Sequence, residues 1–73
     1  MKVRCDIKGL DCPHCAARLE DLLRREFGGA SLNFTAGTLV LEAAEDADED
    51  EIVERARGIA AGFENGIAIE LRD

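Results

Sequence analysis

The chain has no tryptophan and no tyrosine, a single proline, a single histidine and only three phenylalanines. Any core it builds is therefore aliphatic. Basic residues are scarce too, nine against sixteen acidic ones, for a net charge of −7. That excludes the clustered Lys and Arg by which proteins hold phosphate backbones, so no nucleic-acid partner is read here. An acidic surface keeps a small domain soluble, and it can also steer toward a basic partner. No apolar run approaches the ~18 residues that span a bilayer, so direct membrane insertion is not expected. Lys2 and Arg4 have no apolar run behind them, so no signal peptide is read either. The three cysteines are an odd number, unlike the even sets of secreted disulfide frameworks. An odd set suits a reducing, cytoplasmic setting, where a CxxC pair is more often a metal or redox site.

What is present is enough for one domain over residues 1–73. A chain this short buries only about 60% of its unfolded surface. The 47% hydrophobic content, spread evenly, still supplies a core. Residues 2–8 alternate, with Val3, Cys5 and Ile7 on one side and Lys2, Arg4, Asp6 and Lys8 on the other, as in a half-buried strand. A helix is expected from Pro13 to Phe27. Proline suits its first turn, and Ala16, Leu19, Leu22, Leu23 and Phe27 form an apolar stripe. Gly28-Gly29 stops it. Residues 30–36 alternate again, with Leu32 and Phe34 inward. Ala36-Gly37 marks a hairpin turn, and Leu39 and Leu41 return inward over 38–43.

The acidic run Glu45–Glu51 reads as a solvated loop and a helix start, with Asp48 and Glu51 at capping-box spacing. It lacks the glycine and the spaced ligands of a calcium loop. A second helix is expected over 49–61, apolar at Ile52, Ala56, Ile59, Ala60 and Phe63 and ended by Gly62. A last strand over 66–72 turns Ile67, Ile69 and Leu71 inward. The order βαββαβ, with one apolar face per strand, predicts an α+β ferredoxin-like sandwich. Its four-stranded antiparallel sheet carries both helices on one face.

The chemistry sits in Asp11-Cys12-Pro13-His14-Cys15. Two cysteines three apart at a loop-to-helix junction can turn both sulfurs toward one point. The helix N-terminus favours thiolate, the form that binds metal or attacks disulfides. Cys5 alternates with Val3 and Ile7 and is expected to pack as a small hydrophobe in the core. His14, inside the CxxC turn, is expected to face solvent and tune thiolate charge rather than ligate. Asp11 has two readings: a third metal ligand beside the thiolates, or an acceptor for amides at the helix start.

The run Gly9-Leu10-Asp11-Cys12-Pro13-His14-Cys15-Ala16-Ala17-Arg18-Leu19-Glu20 resembles the signature of heavy-metal-associated domains. These are the soluble modules at the N-termini of metal-pumping P-type ATPases and the free-standing copper metallochaperones. The resemblance covers nearly the whole chain, including Gly62-Phe63. It implies the βαββαβ fold and makes Cys12 and Cys15 the metal thiolates. Leu10 stands in for the usual Met under the loop, and Phe63 for the aromatic that flanks the site.

Asp11, where copper-handling members carry Thr or Ser, resembles the zinc, cadmium and lead exporters. Copper(I) is content with two thiolates, whereas zinc seeks about four ligands, some of them oxygen or nitrogen. The resemblance thus favours a site of Cys12, Cys15 and Asp11 for Zn(II), Cd(II) or Pb(II), with copper(I) as the alternative. The implied partner is a membrane P-type metal ATPase, in cis or in trans, served by a monomeric, non-enzymatic carrier or by a cytosolic domain of the pump itself. A rival is thiol–disulfide exchange, because Cys-Pro-His-Cys is also the motif of a thioredoxin-fold oxidase. That fold needs a second proline, in cis and opposite the dithiol, and the one proline here is Pro13.

Overall fold

The computed structural model describes residues 1–72 and has the expected order of elements. Strand β1 (Lys2–Lys8) leads into helix α1 (Pro13–Phe27). Strands β2 (Ala30–Asn33) and β3 (Thr38–Glu42) form a hairpin, followed by helix α2 (Glu49–Phe63) and strand β4 (Ala68–Leu71). The sheet runs β2-β3-β1-β4 and every pairing is antiparallel. Both helices cover one face, as the one-sided alternation of the strands requires.

Local chemistry sets each boundary. Cys12 caps α1 with its sulfur, Pro13 occupies the first turn, and Gly28 ends the helix in the left-handed region (φ 75°). Asp48 caps α2 by accepting the Asp50 amide, and Glu49, Asp50 and Glu51 face the positive end of the helix dipole. Val3, Cys5, Ile7, Leu39, Leu41 and Ile69 from the sheet meet Leu19, Leu23, Ile52, Val53, Ala56 and Ala60 from the helices in one buried cluster. The inward positions expected of β1 are all in it. No polar side chain is buried among the described residues.

Four details depart from the sequence reading. The α1 stripe is narrower: Ala16, Leu19 and Leu23 are buried, while Leu22 is 37% exposed at its edge. Strand β2 stops at Asn33, and Phe34 lies exposed in the turn. There the Asn33 side chain accepts the Ala36 amide and the Asn33 carbonyl accepts the Gly37 amide, which ends the alternation early. Helix α2 passes through Gly62 to Phe63, because the Glu64 amide still reaches the Ala60 carbonyl. The reversal is left to Gly66, at φ 92°. Val53, absent from the expected apolar stripe, is a core residue.

Candidate metal-binding site

The site is built at one end of the sandwich, where β1 runs out into α1 and α2 turns into β4. Two glycines lock these connections together. Gly9 and Gly66 both have positive φ, and a β-carbon on Gly9 would lie 2.1 Å from the Gly66 carbonyl oxygen. The loop carrying Cys12 is therefore pressed, backbone on backbone, against the turn that follows Phe63 and Glu64. Leu10 is half-buried against the core and anchors the loop from below.

Cys12 and Cys15 are free thiols, both partly exposed, with their sulfurs 2.9 Å apart. The Cys12 Sγ also accepts the Cys15 backbone amide at 3.2 Å. The two thiols are unequal in consequence. Hydrogen bonding from the Cys15 thiol, and then from the Cys15 and His14 amides, lowers the Cys12 pKa below that of an ordinary thiol. Cys15, which gives up its hydrogen bond to Cys12, is raised. The Cys12 sulfur is thus the easier of the two to ionise.

Asp11 and His14 are exposed. Cys12, not Asp11, is the helix cap, so the capping reading of Asp11 does not apply. Among the described residues, no three His, Cys, Asp or Glu side chains gather into a metal-holding group. The donors that the fold brings together here are the two sulfurs. Asp11 bears on it through charge, since its carboxylate opposes ionisation of Cys15. Cys5 lies apart, 1% exposed in the core, where burial pushes its thiol pKa up.

Glu64 is a site residue that the sequence pattern does not reveal. Its negative charge, like that of Asp11, opposes ionisation of Cys15 and bears on Cys12 as well. With Cys15, Arg18, Leu22, Ile59, Gly62 and Phe63 it lines an open groove of about 600 Å³ between the helices. Phe63 is half-buried there, flanking the dithiol. A long helix and a turn bring Glu64 to Cys15, and no local motif announces it.

Fold and site together define the class: a ferredoxin-like βαββαβ domain presenting a dithiol at the start of its first helix. No protein-family model matches the sequence, and no curated protein matches it. Solved structures do share the architecture. The apo copper chaperone of Enterococcus hirae superposes with a TM-score of 0.69 at 20% identity, over 96% of this chain and 98% of that one. The Cu(I)-loaded N-terminal domain of a potential copper-translocating P-type ATPase from Bacillus subtilis gives 0.62 at 24% identity, over 96% and 84%. The water-soluble region of the P-type ATPase CopA from Bacillus subtilis gives 0.65 at 26% identity, covering 97% of this chain and 45% of that one. Among the described residues, no helix is long and apolar enough to cross a membrane.

Proposed function

We propose that this chain is a heavy-metal-associated domain that binds copper(I) on Cys12 and Cys15 and passes it on by ligand exchange. The observation that carries the reading is the bare sulfur pair: two thiols 2.9 Å apart, partly exposed, with no third His, Cys, Asp or Glu gathered beside them among the described residues. Two thiolates satisfy a soft monovalent ion, whereas zinc would be left short of ligands. The copper chaperone and the potential copper-translocating ATPase that share the fold support the same choice.

Transfer needs no redox step. A thiolate of the acceptor attacks the two-coordinate ion and forms a third copper–sulfur bond. One of the chain's own thiolates then leaves and regains a proton. A second acceptor thiolate then bonds to the ion as the chain's remaining thiolate leaves, and the protons given up by the acceptor's thiols balance those regained by Cys12 and Cys15. The acceptor fitting this chemistry is another dithiol domain, and the reading places it on a membrane P-type ATPase, in cis or in trans.

A second reading keeps Zn(II), Cd(II) or Pb(II), with Asp11 swinging in as third ligand. The charge of Asp11 at Cys15 is the observation in its favour. Anaerobic competition titration of the reduced protein with copper(I), zinc and cadmium separates the two. Tight one-to-one copper(I) binding, lost in Cys12→Ser/Cys15→Ser, is the expected result. Tight zinc or cadmium binding that also falls in Asp11→Ala would transfer the site to the divalent reading.

A further inference from the structure

We propose that Asn65 is a site of spontaneous covalent modification: its side-chain amide is lost to attack by the Gly66 backbone nitrogen, and the isoaspartyl product displaces the loop that carries Cys12. The chemistry at Asn65 stands without any metal. Its consequence for metal affinity rests on Cys12 and Cys15 being the metal site.

The chain has two asparagines, Asn33 and Asn65, and no glutamine. Asparagine amides are chemically labile, but the fold treats these two differently. Both are exposed. At the end of β2, the Asn33 side-chain oxygen accepts the Ala36 amide at 2.9 Å, which ties its carboxamide down. Phe34 follows it, and that side chain crowds the nitrogen that would have to attack. Asn65 lies in the turn between α2 and β4 and is followed by an exposed glycine. No atom lies within 4 Å of where a Gly66 β-carbon would be, so its nitrogen is open to approach. Among the described residues, nothing accepts the Gly66 amide and nothing bonds the Asn65 side chain. Nucleophile and target are adjacent, exposed and uncommitted.

The reaction needs only water. The Gly66 nitrogen gives its proton to solvent and bonds to the Asn65 side-chain carbonyl carbon, and ammonia leaves. The product is a cyclic imide, which water then opens. Breaking the new carbon–nitrogen bond restores the backbone and leaves aspartate. Breaking the bond from the same nitrogen to the Asn65 backbone carbonyl carbon leaves isoaspartate, with the chain running through the side chain. Both products exchange an amide for a carboxylate. Only isoaspartate adds a methylene to the backbone.

That extra atom falls in a turn held at both ends. On one side the Glu64 amide is bound to the Ala60 carbonyl, and on the other Ala68 pairs with Lys8. Between them the Gly66 carbonyl is pressed on Gly9, three residues before Cys12. A longer turn must move Gly66, and with it the connection from β1 to Cys12.

The test ages the reduced, metal-free protein anaerobically at mildly alkaline pH, as wild type, Asn65→Gln and Asn65→Asp. Asn65 has no positive φ and its side chain makes no bond, so both variants keep the turn. Peptide mapping should find the exchange of amide for carboxylate at Asn65, faster as pH rises, with Asn33 intact and Asn65→Gln unchanged over the same time. Enzymatic methylation should detect isoaspartate at residue 65. Fresh Asn65→Asp carries the new charge without the added methylene. The separated isoaspartyl form should therefore bind copper(I) several-fold more weakly than Asn65→Asp, and should unfold at lower urea. An intact Asn65, or equal loss at Asn33, would overturn the modification site. An isoaspartyl form matching Asn65→Asp in both affinity and urea unfolding would overturn the link to the loop. If fresh wild type binds no copper(I), the dithiol reading fails on its own, and the modification and its effect on urea unfolding are still decided by the same samples.

Discussion

Gly9 and Gly66 meet backbone to backbone, so closely that a single added β-carbon on Gly9 would sit 2.1 Å from the Gly66 carbonyl oxygen. Gly9 also has φ 95°, where a side chain is strained in itself. Gly66 has a similar φ of 92°, but nothing lies near its missing β-carbon. The two glycines should therefore respond differently to alanine. Gly66→Ala should lose about 1 kcal/mol from backbone strain alone. Gly9→Ala should lose more, roughly 2–4 kcal/mol, because the turn must also move. Urea unfolding of the metal-free proteins measures both. Metal affinity should fall with Gly9→Ala more than with Gly66→Ala, since only the former displaces the loop that carries Cys12.

The inequality of the two thiols gives a pH signature. The Cys12 pKa is lowered, so its thiolate should persist at pH values below the ordinary thiol pKa of about 8.5. The Cys15 pKa is raised, and that thiol should remain protonated above it. Iodoacetamide should therefore modify Cys12 first, with a rate that climbs at lower pH than for a free cysteine. Peptide mapping after brief labelling identifies the residue. In Cys15→Ala the thiol donor is gone, and the Cys12 profile should move up toward the ordinary range. Equal labelling of the two sulfurs across the pH series would contradict the hydrogen-bonded arrangement.

The same contrast shows what a sequence of this kind discloses. All six elements follow from alternation and helical spacing, because each strand has one wet face and each helix an apolar stripe. Cys12 and Cys15 are legible for a local reason: spacing at a helix start governs where their sulfurs go. Leu22 and Phe34 are misplaced by the same pattern rules. Apolar spacing does not tell the centre of the α1 stripe from its edge, and an Asn side chain closing the hairpin overrides alternation at Phe34. Glu64 is invisible because its approach to Cys15 is produced by tertiary folding. Asp11 stands out for the converse reason, adjacency, yet the folded chain does not gather it with the sulfurs.

Cys5 should make the domain sensitive to alkali. Burial raises its pKa above that of the same thiol in the unfolded chain. As pH rises through about 8.5, the unfolded chain releases this proton and the folded chain keeps it, so unfolding is favoured and stability falls. The slope should end only above the raised pKa of the folded state. Cys5→Ala should lose roughly 1 kcal/mol at neutral pH from the small void left in the core. It should also remove this thiol's share of the alkaline decline. Denaturant unfolding of both proteins across neutral to alkaline pH, compared as differences, isolates the effect from the groups they share.

Helix side chains occupy the outer rim of both edge strands. On β2, the Glu20 carboxylate accepts the Leu32 amide at 2.7 Å, and Arg24 Nε donates to the Ala30 carbonyl at 3.0 Å. The pair is tied together by a 3.4 Å contact between Arg24 and Glu20. On β4, Arg57 Nε donates to the Ile69 carbonyl at 2.7 Å. Unpaired strand edges invite pairing with another chain, and these bonds fill some of the vacant positions. Glu20 is the best-placed member, with its side chain only 20% exposed. Glu20→Ala should cost about 1–2 kcal/mol, the scale of a charged acceptor lost from a partly buried amide. Amide exchange at Leu32 should accelerate by more than the global loss of stability explains, while the amides of β4 slow or quicken only with that global change. If Leu32 exchange instead tracks global unfolding alone, the carboxylate is not what protects the edge. Light scattering at high protein concentration supplies the second readout. Opening the β2 rim in Glu20→Ala should raise self-association, and Arg57→Ala should do the same at β4.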